Sequence, residues 1–180
     1  MYTGENPKAL LSIQLLSNAL MEELDSKKYE NITIKDICRT ADVSRQTFYN
    51  IFNTKDELLR LCIKDIFEEI MKKRSSEEHM DAKTSLSIFF ETFYSKKSFM
   101  DIIVKSNLEY IMIEELMLSI TNLAQISDTE GIVSHMDYIL AFYSGGLAQY
   151  LFHWCKDPNR ISLEELIQVL SELRVPFITS

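Results

Sequence analysis

Residues that break helices are scarce in this chain. Its 180 residues include only 4 Gly and 3 Pro, and only 5 Val are available for strands. A sheet needs many tight turns and many β-branched positions, so the composition points to an all-α chain. At 46% hydrophobic and 26% charged, it has the apolar material for a core and no disorder signature. The length suits one large domain or two small ones.

Periodicity then places the helices. Ala9, Ile13, Leu16, Leu20 and Leu24 recur every three or four residues, predicting an amphipathic helix over 8–26. Thr33 to Asp36 forms a variant capping box opening a short helix with Ile34, Ile37, Cys38 and Ala41 inward. Ser44 caps a second short helix over 45–52. Thr54 to Glu57 is a full capping box for a helix over 54–74, and polar residues 75–83 read as a linker. Further helices are expected at 84–95, 98–105, 107–125, 133–156 and 163–173, about nine in all. Capping boxes at Ser106–Glu109 and Ser162–Glu165 set two of those starts.

Cys38, Cys62 and Cys155 are odd in number and widely spaced, as expected of reduced, buried thiols in a cytoplasmic protein. No secretory signal is seen at the N-terminus. Tyr138 to Cys155 lacks Asp, Glu, Lys and Arg, but Ser144, Gln149, His153 and two glycines make it a buried helix rather than a membrane span. No Cys/His cluster suggests a metal, and no cofactor is expected. Enzyme signatures are missing as well: there is no Gly-rich phosphate loop, nucleophile elbow or H-E-x-x-H pair. Glu114-Glu115 and Glu164-Glu165 are adjacent in sequence and read as solvated or capping positions.

The informative segment is YENITIKDICRTADVSRQTFYNIFNTKDELL, Tyr29 to Leu59. A short helix, a tight turn and a second short helix form the layout of a helix-turn-helix, whose second helix enters the DNA major groove. On a helical wheel, Arg45, Gln46, Tyr49, Asn50 and Asn53 fall on one side and Phe48, Ile51 and Phe52 on the other. Arg pairs with guanine O6/N7, and Gln or Asn with adenine N6/N7. Thr33 and Lys55, at helix starts, are placed to meet phosphates.

Residues of about 9–59 resemble the DNA-binding domain of the TetR/AcrR family of transcriptional regulators. The resemblance rests on Tyr29, Thr33, Ile34, Ile37, Ala41, the run V-S-x-x-T-F-Y-x-x-F-x-x-K-x-x-L from Val43 to Leu58, and Leu59. It implies phosphate contacts from Thr33, Ser44, Thr47, Tyr49 and Lys55, and base contacts from Arg45, Gln46, Tyr49 and Asn50. The family usually has Gly before Val43. Here the residue is Asp42, which tolerates a left-handed backbone better than most. FYSGGLAQYLFHWCKDPNRISLEEL resembles, more loosely, the last two helices of a family group common in low-GC Gram-positive bacteria.

The resemblance implies a domain over 1–55, joined through the 54–74 helix to a ligand-binding and dimerisation domain over 56–180. It implies a homodimer on palindromic double-stranded DNA, most simply a repressor released by a small apolar or amphipathic effector. A regulator without an effector, or one that depends on a partner, is the alternative. A helical protein-interaction or membrane-surface module is more remote. The dimer would use Met136, Leu140, Tyr143, Leu147, Tyr150 and Trp154, beside a small-residue strip of Ala141, Gly145 and Ala148. Leu163, Leu166, Ile167, Leu170 and Leu173 supply a second apolar face. Pocket candidates are Phe89, Phe93, Tyr94, Phe99, Tyr110, Met117, Tyr138 and Phe142.

The net charge of −8 at first argues against a polyanionic partner. It is unevenly placed. Residues 1–55 hold 7 basic and 7 acidic groups, net 0, whereas 56–180 hold 12 and 20, net −8. Within 26–55 the balance is 6 to 3, net +3. The acidity therefore lies outside the segment that would read DNA.

Overall fold

The structure, a computed structural model, describes residues 6–126 and 135–173; side chains are described except at 122–126 and 136. Among these residues there are nine α-helices and no strand. They are α1 (Pro7–Ser26), α2 (Ile34–Thr40), α3 (Arg45–Tyr49), α4 (Lys55–Ser76), α5 (Ala82–Ser95), α6 (Lys97–Lys105), α7 (Glu109–Ile126), α8 (Met136–Lys156) and α9 (Leu163–Glu172). A 3-10 turn at Tyr29–Asn31 precedes α2. The expected start at 133 and the Met136 side chain lie outside what is described.

Two compact units emerge. Residues 6–65 pack with 101–115, and 66–100 pack with the described residues from 116 onward. In the first unit, α1 lies against α2 and α3. Leu16, Leu20, Ile37, Phe48, Leu58, Leu59 and Ile63 are fully enclosed there. An ionic cluster fastens the α1–α2 contact. Buried Glu23 accepts from Lys27 Nζ at 2.5 Å, Thr40 Oγ1 at 2.6 Å and Arg39 Nη2 at 3.4 Å. Three donors satisfy its lone pairs, as a buried carboxylate requires. These bonds, Lys27 first, hold its pKa below the ordinary carboxylate value.

The second unit is built on α5, α8, α9 and parts of α4 and α7. Phe67, Phe89 and Phe93 cluster with centroids 4.8–5.6 Å apart, and α5 packs on α9. Tyr150 donates from its hydroxyl to the Leu166 carbonyl at 2.9 Å, and Trp154 Nε1 to that of Ile161 at 2.8 Å. Among the described residues, no helix is long and apolar enough to cross a membrane. None of the three cysteines forms a disulfide among the described residues; burial pushes the Cys62 thiol up to about 11.

The boundaries carry several corrections. Helix α3 ends at Tyr49 rather than at 52, so Asn53 leaves the wheel. Its amides instead bind Glu57, whose carboxylate accepts from the Asn53 backbone N–H at 2.9 Å and from Asn53 Nδ2 at 3.0 Å. Glu57 thus reaches one residue beyond the Thr54 position a full box would use, although Thr54 Oγ1 still accepts from Glu57 N–H. The Ser106–Glu109 box does not form. Asn107 takes φ 54°, and the N–H groups of Asn107 and Leu108 return to the carbonyls of Val104 and Ile103. This is a Schellman closure of α6, and α7 starts only at Glu109. The linker over 75–83 is shorter than expected, because α4 continues to Ser76 and Asp81 caps α5. The boxes at Thr33–Asp36 and Ser162–Glu165 are both present.

Candidate nucleic-acid interface

The turn between α2 and α3 is a second Schellman motif. Val43 N–H returns to the Cys38 carbonyl at 3.0 Å and Asp42 N–H to that of Arg39 at 3.3 Å. The motif demands a left-handed residue after the cap, and Asp42 supplies it at φ 52°. The chain reverses within three residues and delivers Ser44 as N-cap of α3.

At that cap, Ser44 Oγ accepts from Thr47 N–H at 3.0 Å and lies 2.8 Å from Thr47 Oγ1. The two hydroxyls form one polar knob at the open end of α3. Phe48 is 0% exposed and stacks with Phe52 at 5.6 Å, which locks the helix onto its support. With Phe48 inward, Arg45, Gln46, Tyr49 and Asn50 face out, and all four are exposed. Gln46 Nε2 donates to Asn50 Oδ1 at 3.0 Å, which fixes both amide planes. That leaves the Gln46 carbonyl and the Asn50 amino group outward. Tyr49 stands edge-on to Phe48 at 5.7 Å. The Arg45 guanidinium makes no hydrogen bond or ion pair among the described residues.

Lys35, Cys38, Arg39, Asp42, Val43, Ser44 and Arg45 line an open groove beside the turn. Lys35 is exposed and, among the described residues, has no ion pair. The motif reading passed over it. The available signal was its position one turn before Arg39 on the outer face of α2. Arg39 itself is engaged by Glu23 and Asp36.

Thr33 and Lys55 are more committed than expected. Thr33 donates from Oγ1 to Asp36 Oδ2 at 2.6 Å and accepts from Asp36 N–H at 3.2 Å. Lys55 Nζ donates to the carbonyls of Tyr29 at 2.6 Å and Ile32 at 2.8 Å. Two of its three protons are spent inside the protein, and burial lowers its pKa. Tyr29 completes this corner by donating to Asp56 Oδ1 at 2.5 Å.

The other expected site residues are scattered. Leu140, Trp154 and Leu166 are buried within the chain itself, Leu147, Tyr150 and Leu170 are half-buried, and Tyr143 is exposed. Helix α8 turns its 140–144–148–151 face inward. Tyr138, Ile139, Phe142 and Tyr143 therefore lie outside, with Val169 and Leu173 of α9 also exposed. Ala148 is enclosed, while a methyl added at Gly145 or Gly146 would meet open space.

A cavity of about 150 Å³ in the second unit is lined by α4, α5, α7 and α8 residues, Phe89 among them. The other pocket candidates do not line it. Phe93 is sealed in the core, Phe99 is half-buried, and Tyr94, Tyr110, Met117, Tyr138 and Phe142 are exposed. Nor are Glu114 and Glu115 a free solvated pair: Arg60 binds Glu114 at 2.5 Å and Glu115 at 3.0 Å. No group of residues among those described could hold a metal ion.

Comparison with known proteins agrees with this geometry. The family model described as "Bacterial regulatory proteins, tetR family" matches residues 16–62. The HTH-type dhaKLM operon transcriptional activator DhaS of Lactococcus lactis subsp. lactis (strain IL1403) is 32% identical over 68 residues. That match covers 38% of this chain and only 36% of the relative, about a third of its length. In fold, the chain is similar to Lin0861 from Listeria innocua, with TM-score 0.81, 15% identity, and 96% and 93% of the two chains covered. It is also similar to a TetR transcriptional regulator from Streptococcus agalactiae 2603V, with TM-score 0.63, 18% identity, and 89% and 92% covered. A helix-turn-helix with an outward polar α3 and a family match over that segment lead to one conclusion: residues 16–62 carry the segment described for bacterial regulatory proteins of the tetR family, in a chain whose all-helical fold is shared with these solved structures.

Proposed function

We propose that this chain binds double-stranded DNA as a homodimer in the cytoplasm and regulates transcription. Residues 1–55 would form the reading head and 56–180 the regulatory and dimerisation part. The observation that carries the reading is α3 itself. Its apolar side is locked by Phe48, while an unpaired Arg45 and a fixed Gln46–Asn50 pair face outward. Those groups match the donor and acceptor pattern of base edges. The Ser44–Thr47 knob, Thr33, Tyr49 and the remaining N–H of Lys55 serve phosphates, with Lys35 beside them.

Two recognition helices on one palindromic site require a two-fold dimer. The outward α8 face at Tyr138, Ile139, Phe142 and Tyr143, with Val169 and Leu173 of α9, supplies the apolar surface for it. Leu140, Trp154 and Leu166 support that face from within.

The first reading of the regulation is repression relieved by a small effector in the second unit. A second reading, activation with a partner, draws on the relative that is an operon transcriptional activator. The cavity's volume of about 150 Å³, below the roughly 300–1,000 Å³ of pockets for drug-sized ligands, restricts any effector to a small molecule.

The test is a gel-shift at low salt with fragments spanning the chain's own upstream region. Specific retardation of one fragment against excess competitor is expected. Failure of every fragment to bind specifically would sink the proposal. Reporter expression with and without the chain then separates repression from activation.

A further inference from the structure

The 150 Å³ cavity has one charged group on its lining. Helix α4 presents Phe67, Ile70, Met71 and Arg74 to it, residues spaced along one face. Leu86 and Phe89 of α5, Leu116 and Ile120 of α7 and Leu147 of α8 complete an apolar wall. The polar residues are Arg74, Ser85 and Ser119.

Arg74 is partly exposed, and its guanidinium makes no hydrogen bond or ion pair among the described residues. Its neighbours are otherwise occupied. Ser85 donates to the Met80 thioether, a weak acceptor that a better one displaces. The nearby Asp81 carboxylate is taken up in capping α5 through Thr84 N–H at 2.7 Å. Lys73, one residue away, is held by Glu69 and Thr92. The cavity therefore combines an apolar chamber with one uncommitted planar cation. A guanidinium pairs with a carboxylate through two parallel N–H···O bonds. A chamber of about 150 Å³ accommodates a group about the size of benzene.

We propose that this cavity binds a small monocarboxylate with a tail of about five or six carbons, its carboxylate on Arg74 and Ser85 and its tail against Phe67, Phe89 and Leu147. The inference deepens the regulatory reading by naming the chemical class of its effector. Binding is measured without DNA, so a failure here leaves DNA recognition untouched.

The experiment titrates the full chain with hexanoate and, separately, with 1-hexanol, by calorimetry and by methyl NMR. Saturable hexanoate binding that shifts the Met71 methyl resonance is expected, with 1-hexanol at least tenfold weaker. Arg74→Gln should weaken hexanoate at least tenfold and change 1-hexanol less than twofold. Arg74→Lys, which keeps the charge but not the paired geometry, should fall between. Arg74 is partly exposed, so both variants should melt like the parent chain, which circular dichroism checks. Any of three results overturns the proposal: no saturable hexanoate binding, 1-hexanol binding equally well, or hexanoate affinity unchanged in Arg74→Gln.

Discussion

Lys55 Nζ sits 4.2 Å from the centroid of the Tyr29 ring while donating to the Tyr29 carbonyl at 2.6 Å. A residue expected from the sequence to meet the phosphate backbone is here a pin that closes the 3-10 turn onto the start of α4. Lys55→Met should leave the Tyr29 and Ile32 carbonyls without this donor and remove the cation–π contact. A loss of about 1–3 kcal/mol is expected. Urea unfolding checks it, and DNA affinity should fall to a similar extent for specific and random sequences.

Arg45 has the opposite character, because nothing in the described structure depends on its guanidinium. Arg45→Ala should leave stability within about 0.5 kcal/mol. It should cost about 1–3 kcal/mol at the cognate site and relax the preference at one base pair. Fluorescence anisotropy on a panel of single-base site variants distinguishes this from a uniform loss.

Asp42 pays for the left-handed turn with its Cβ. Asp42→Gly should stabilise the chain by about 0.5–1 kcal/mol, and Asp42→Val should destabilise it by about 1–2 kcal/mol. Denaturant midpoints at neutral pH measure both. Removing the carboxylate beside the groove should also strengthen DNA binding.

Two neighbours on α8 separate association from folding. Leu140 is 7% exposed and Phe142 is 55% exposed. Phe142→Glu should keep the helical content and weaken the proposed dimer by about 2 kcal/mol, roughly 30-fold. Leu140→Glu should unfold the second unit by burying a charge. Sedimentation velocity beside circular dichroism resolves the two outcomes; an unchanged dimer in Phe142→Glu would show that the interface lies elsewhere.

The α1–α2 junction should be acid-sensitive. The Thr33 hydroxyl and backbone N–H, with Lys27 adding to them, hold the Asp36 carboxyl at about 2, down from 3.8. Glu23 is shifted in the same direction. A carboxyl depressed in the folded state stabilises above its unfolded pKa and loses that contribution as the pH falls through the folded value. Stability of the first unit should therefore drop as the pH falls from about 4 to about 2. Asp36→Asn should start less stable and show a shallower fall, measured by amide exchange in α2.

Local chemistry made much of this legible in advance. The Thr33 and Ser162 capping boxes, the Ser44 cap and the inward Phe48 depend on residues within one or two turns of each other, so spacing alone predicts them. The turn at Asp42 was readable for the same reason, since one residue must go left-handed there. Ser106 shows where that reasoning ends. Its capping box competes with Asn107, which also tolerates φ above zero, and closing α6 took precedence over opening α7.

What the sequence by itself determined is the helical class, the order of the helices and the polar outer side of α3. Those follow from periodicity, caps and the rarity of Gly and Pro, all of them short-range. Only the tertiary structure decided that Lys55 turns inward to two carbonyls 23 and 26 residues away. It alone turned Leu140 and Trp154 inward and Phe142 outward, and left Arg74 unpaired beside a cavity. The physical reason is that α8 is apolar nearly all round. Periodicity cannot then choose its buried side, and the choice falls to the helices packed against it.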